Sequence, residues 1–150
     1  MPSVMNGLLG CWQGDGSVMG KPVSITLEGK FILRYAMFSV DIQSQAKANP
    51  QDDYAAHLVF GSAPSEALIG IWTDSFGGAY IATGHGATRR DGFDMAYRYP
   101  DSTFVNRWNV TKARIAWDIV MSGKDGKTKP FAAYIFHRHS CDHARELLKT

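Results

Sequence analysis

Asp74 and Ser75 follow Trp72 in a W-T-D-S run, which puts a carboxylate suited to proton transfer beside a hydroxyl suited to nucleophilic attack. No histidine lies near them in the sequence, and Phe76, Gly77 and Gly78 come directly after. An Asp or Ser entering a turn bonds its own backbone more often than it reacts, and we expect that role for both. His85 stands between Gly84 and Gly86. Small neighbours let another group come close, so His85 is a candidate ligand contact or acid–base group, although paired glycines also mark a bend or bulge. His57, in the segment AAHLVF, is expected on the polar face of its strand. The remaining histidines, His137, His139 and His143, lie with Cys141 and Asp142 in the run HRHSCDH. These are zinc-ligand types, but their spacing matches no standard zinc module and no metal is expected.

Arg34, Arg98, Arg107, Arg114 and Arg138 fall inside segments that read as strands. Most are expected to face solvent, where they discourage edge aggregation. An inward arginine would need a carboxylate or an anionic ligand. Arg107 is the preferred candidate for that role, beside Tyr97 or Tyr134, and would suit a fatty acid. The local alternation nevertheless sets it on the face opposite Trp108.

The elements that must position these groups are strands. Turn signals recur about every ten residues, the spacing of an all-β sandwich or barrel. They include residues 14–16, Gly29, and the runs starting at Asn49, Ser62, Phe76, Arg89, Tyr99, Asn109 and Gly123. Between them, Ile115, Trp117, Ile119 and Met121 alternate with Arg114, Ala116, Asp118 and Val120. Phe93, Met95, Tyr97 and Tyr99 do the same against Asp94, Ala96 and Arg98, as do Phe104, Asn106, Trp108 and Val110 against Val105, Arg107 and Asn109. A period of two places each set on one sheet face. Residues 31–42 and 131–138 are apolar on both faces, as expected where one face packs the wall and the other lines a cavity. We expect an all-β chain of roughly eight to ten antiparallel strands over residues 17–139, joined by hairpins and closed into an up-and-down barrel that leaves no edges. A short C-terminal helix is expected over residues 140–148, capped by Ser140.

Composition narrows the classes. The 150 residues suit one domain, and 45% hydrophobic with 20% charged residues excludes a disordered chain. A net charge of +2 is too small to argue for nucleic acid. No run approaches the ~20 apolar residues of a membrane span, and residues 1–10 lack the basic start and apolar run of a signal peptide. With two cysteines, the expectation is a cytoplasmic protein whose Cys11 and Cys141 are free thiols, although barrel closure would bring the first and last strands together.

The N-terminal segment 8–16 reads LLGCWQGDG. Gly10 and Trp12 form a G-x-W pair at the first strand, where a large ring can plug the end of a barrel, and Arg138 on the last strand is placed to cover it through a cation–π contact. This constellation resembles the calycins, the group of lipocalins and fatty-acid-binding proteins. Leu8, Gly10, Trp12, Gly14 and Gly16, together with Trp72, Asp74, Ser75 and Gly77, are similar to a bacterial family of uncharacterised lipocalin-like proteins. That resemblance implies a lipocalin-like barrel and no established activity. The early G-x-W-x-G-x-G also resembles nitrobindins, which bind haem through a histidine near the chain end; His137 or His139 would take that part, but the rest of their pattern is not evident and no cofactor is expected. The expected function is noncatalytic binding of a small hydrophobic or amphipathic ligand, with Trp72, His85, Tyr97, Arg107, Trp108, Trp117 and Tyr134 as candidate contacts and Gly10, Trp12 and Arg138 as structural residues. The alternatives are an enzyme using His85 or Asp74 in the cavity, haem binding, or a filled barrel that forms a homodimer.

Overall fold

In a computed structural model, which describes residues 1–141, the chain is a closed barrel of ten antiparallel strands. They are β1 (Gly10–Val18), β2 (Lys21–Ile32), β3 (Met37–Ala46), β4 (Asp53–Ser62), β5 (Ala67–Asp74), β6 (Ala82–Arg89), β7 (Gly92–Arg98), β8 (Ser102–Val110), β9 (Arg114–Gly123) and β10 (Thr128–His139). Each strand pairs with its sequence neighbours, and β1 pairs with β10 to close the ring. Closure leaves every strand with two partners, so no edge remains to template association. The expected helix over residues 140–148 lies, beyond Cys141, outside the described residues.

Alternation decides which side chains fill the interior. Trp12, Leu27, Val40, Leu58, Phe60, Phe93, Trp108, Trp117 and Phe136 are all buried, and most of their sequence neighbours are more exposed; Ser39 and Cys11 are buried neighbours on the opposite face. One end is sealed. A 3-10 turn (Ser3–Leu8) lays Met5 and Leu8, both fully buried, across it. Trp12 lies beneath, its Nε1 donating to the Leu8 carbonyl at 3.2 Å. The Arg138 guanidinium sits 4.3 Å from the Trp12 ring centre and donates to the carbonyls of Leu9 and Lys112. Gly10 adopts φ +103°, which favours glycine, where the chain turns from this cap into β1.

Three expectations require correction. Residues 14–16 and Gly29 are not turns: Gly14 and Gly16 lie inside β1 and Gly29 inside β2. A side chain at Gly14 or Gly16 would strike the β10 backbone, and one at Gly29 would strike the Leu8 carbonyl, so these glycines mark close approach. Second, residues 31–42 are two strands separated by a tight turn at 33–36, closed by the Ala36 N–H donating to the Leu33 carbonyl. Third, Cys11 and Cys141 are joined in a disulfide, their Cα atoms 5.1 Å apart. The β1–β10 register pairs Cys11 with His139, which brings Cys141 within bonding range two residues later.

Candidate functional site

At the other end of the barrel a 3-10 turn (Gly78–Tyr80) in the β5–β6 loop accepts at the Tyr80 carbonyl from the Tyr99 hydroxyl at 2.9 Å, but unlike the Ser3–Leu8 turn it buries none of its own residues. Several inward-facing residues there are only partly buried: Val18, Ser44, Tyr54, Trp72, Asp74, Tyr99, Phe104 and Met121, while Val23, Ala46, Ala82 and Ala132 near them are buried. The equivalent positions at the sealed end, such as Leu27, Phe38, Phe60, Phe93 and Ile115, are shut from water. The result is an aromatic mouth open to solvent. Its floor is a column of rings. Trp108 stacks on Trp117 at 4.2 Å and 11°, Phe93 stacks on Trp108 at 5.5 Å, and Tyr134 and Trp72 lie 4.9 Å and 6.1 Å from Trp117. This column fills the middle of the barrel, and the partly exposed rings Trp72, Tyr99 and Phe104 lie toward the end above it.

A β-bulge shapes one wall. The β9–β10 register shifts between Pro130 and Ala132, which makes Phe131 the extra residue. Its ring packs edge-on against Phe104 at 5.1 Å, and Phe104 packs the same way against Tyr99. On the opposite wall Asp74 ends β5. Its Oδ2 accepts from the Tyr54 hydroxyl at 2.8 Å and from Trp72 Nε1 at 3.0 Å, while Oδ1 accepts from the Phe76 N–H at 3.0 Å. The last is the backbone contact expected of an Asp entering a turn; the first two make the same carboxylate a bracket for two aromatic side chains. Ser75 accepts from the Ala55 N–H. Phe76 and Tyr80, both exposed, continue the aromatic surface onto the loop beyond β5.

Burial raises the tyrosines of the mouth above their ordinary range. Tyr134 is pushed up to about 12 by desolvation, and Tyr97 is raised further by the same cause. Tyr54 is raised by burial and then by its bond to Asp74; Tyr99 is raised by burial and by the nearby Asp74 charge. Two buried polar atoms in the interior make no hydrogen bond among the described residues. These are the Tyr97 hydroxyl and Asn106 Nδ2; the Asn106 carbonyl accepts from Trp117 Nε1 at 2.9 Å. They lie on adjacent strands, since Met95 of β7 pairs with Asn106 of β8.

Of the residues singled out from sequence, Trp72, Tyr97, Trp108, Trp117 and Tyr134 come together inside the barrel. Arg107 and His85 do not. Arg107 is exposed on the outer wall, in register between Asp94 and Asp118, so the alternation was the better guide and Arg107 is not an inward partner for a fatty acid. His85 is exposed because Gly84 and Gly86 take the inward positions, where Tyr97 and Met95 press against them. It therefore cannot serve as a cavity acid or base. His137 and His139 also sit out of phase with inward Tyr134 and Phe136, so neither points at the interior as a haem ligand would. Cys141 is spent in the disulfide, His143 lies outside the described residues, and no cluster of three metal-ligating side chains occurs among those described. His57 is on the outer wall as expected, 2.6 Å from Asp41. Missed by sequence reasoning were Tyr54, Tyr99, Phe104, Phe131 and Met121; alternation set Tyr99, Phe104 and Met121 on one face with Tyr97, Trp108 and Trp117, but identified neither the inward face nor the end of the barrel they occupy.

Two clefts of about 800 and 900 Å³ lie elsewhere. The first runs over the polar outer wall of β1–β4, past Gln13, Thr26, Gln43 and Gln45; the second lies beside the sealing turn, among Met1, Arg90 and Lys112. The first also reaches Ser44 and Tyr54 at the rim of the mouth, but neither is lined by Trp72, Trp108, Trp117 or Tyr134 of the floor. Among the described residues no helix is long and apolar enough to cross a membrane.

No family model and no curated protein matches the chain, so the resemblance to lipocalin-like proteins rests on the two short motifs. Solved structures do match. Rv2717c from M. tuberculosis is similar with a TM-score of 0.69 at 11% identity, covering 93% of this chain and 99% of that one. The S-type phycobiliprotein lyase CPES from Guillardia theta matches at 0.64 and 12% identity, over 91% and 90%. A redesigned β-barrel, mFAP1, bound to DFHBI, matches at 0.51 and 12% identity, over 91% and 100%. At such identities the likeness is one of fold: a closed antiparallel barrel.

Proposed function

We propose that the protein binds a small, partly apolar molecule in the aromatic mouth, and that it does so without catalysis. The observation that carries this reading is the asymmetry of the barrel ends. One end is sealed by Met5, Leu8 and Trp12, while the inward rings Tyr54, Trp72, Tyr99 and Phe104 at the other are only partly buried, an arrangement that forgoes some hydrophobic stabilisation unless something covers them. The mouth combines rings for contact area with a few polar groups for orientation, the usual make-up of a ligand site. Those polar groups are Asp74 and the unpartnered Tyr97 hydroxyl below, while the Tyr54 and Tyr99 hydroxyls donate to Asp74 and to the Tyr80 carbonyl. Two of the fold's neighbours are described as a phycobiliprotein lyase and as a barrel bound to DFHBI, which lends the reading support.

The test is a titration with Nile red, a neutral apolar fluorophore, followed by its emission and by quenching of tryptophan. Saturable one-to-one binding is expected, weakened at least roughly fivefold by Trp72→Ala and by Phe104→Glu, each of which removes or charges part of the wall. Binding that does not saturate, or that ignores both substitutions, would overturn the proposal.

A further inference from the structure

Asp74 gives the mouth a charge preference, and we propose that it selects a cationic amphiphile: an alkyl- or arylammonium whose head sits at the Asp74 carboxylate and whose apolar part lies on the rings. This deepens the binding reading above and rests on it. Three observations carry it.

The first is charge. With Arg107 on the outer wall, Asp74 is the one charged side chain among the described residues that faces inward at the mouth and is partly buried there. Its inward position follows from its pairing with buried Ala56. The lysines in inward register nearest the lip, Lys21 and Lys129, are exposed and screened by water, so they do not offset a carboxylate set among rings.

The second is hydrogen-bond capacity. An ionised carboxylate accepts about four bonds. Asp74 takes three, two on Oδ2 and one on Oδ1, which leaves an acceptor site on Oδ1. Tyr54, Trp72 and Phe76 hold the group in place, so a cation meets a pre-oriented partner.

The third is the surround. Tyr54 and Trp72 bond Asp74 directly, the Phe76 ring lies 5.7 Å from Tyr54, and Tyr99 is close enough to feel the Asp74 charge. Aromatic faces next to a carboxylate attract ammonium groups and give nothing to anions. A fatty acid, expected from the sequence, would bring its own carboxylate against Asp74.

The experiment uses the intact protein and three probes of equal chain length: dodecylammonium, whose N–H groups can donate to Asp74, dodecanol and dodecanoate, each below its micellar concentration at neutral pH and low salt. Binding is read by tryptophan fluorescence and calorimetry. The wild type is expected to bind the ammonium roughly tenfold more tightly than the alcohol, and the carboxylate least. Asp74→Asn is expected to erase the preference for the ammonium, read as the ratio of ammonium to dodecanol affinity rather than as either affinity alone, since the amide carries no charge. The wild-type ranking stands without the variant, should Asn disturb the loop. If the three bind equally, or the carboxylate binds best, the charge inference falls and the binding reading survives. If none binds and Nile red does not either, the binding reading itself falls.

Discussion

At Gly14 a methyl group would run into the Ile135 carbonyl on β10, and at Gly86 into the Asp94 carbonyl on β7. Neither backbone is left-handed, so these glycines are needed for space. Gly20 is the contrast: φ +82° with nothing around it. Gly14→Ala should therefore cost about 2–3 kcal/mol, as overpacking against backbone does. Gly20→Ala should cost about 1 kcal/mol from φ alone. Urea denaturation gives both values, and an inverted order would contradict the assignment. The mouth tyrosines make a second residue-scale prediction. Tyr134, with a folded pKa near 12 against an unfolded value of 10.0, is held neutral by burial, and Tyr54 and Tyr97 are raised as well. Their stabilisation is intact below pH 10 and is lost as pH climbs toward 12, by up to about 1.4 kcal/mol per unit for each group that titrates. Absorbance at the phenolate band should show a late-titrating set that ionises together with unfolding; Tyr134→Phe should flatten part of that slope.

The turn between β2 and β3 shows what an element can hide. Leu33, Arg34 and Tyr35 all have positive φ, between 52° and 68°, in a turn with no Gly, Asn or Asp. With none of the usual punctuation, residues 31–42 read as one long strand, and the mistake was built into the chemistry of the turn. The segments containing Trp117, Tyr97 and Trp108 were legible because a half-solvated sheet forces a period of two, and Arg107 shows that this pattern outranks chemical appeal. The closed end was legible in part, through Trp12 and Arg138. The mouth was not, because openness depends on which loop folds over which end, and the bulge that turns Phe131 toward Phe104 leaves no repeat to read. Arg34→Gly should relieve left-handed strain at an exposed site and stabilise the protein by about 1 kcal/mol, seen as a raised Tm with the fold unchanged in far-UV circular dichroism. A lowered Tm would mean that Arg34 holds the hairpin by contacts worth more than its strain.

For the whole molecule the decisive closure is β1 against β10, because it alone joins residues from the two ends of the barrel sequence. Cys11–Cys141 locks that seam across 130 residues of chain. The wider the loop a cross-link closes, the more it restricts the unfolded ensemble, and at this span the restriction is worth about 4–5 kcal/mol on the chain-entropy account. Such a bond persists where the surroundings are oxidising, which runs against the cytoplasmic expectation drawn from having only two cysteines. The double variant Cys11→Ser, Cys141→Ser should keep the barrel's circular dichroism, because the seam's backbone hydrogen bonds remain, yet unfold at lower urea with a loss of about 3–5 kcal/mol. Reductant should shift the wild type to the same midpoint and leave the variant unmoved. Ligand affinity should hardly change, since the disulfide lies at the sealed end and the mouth at the other. A variant as stable as the oxidised wild type would show that strand pairing alone closes the ring.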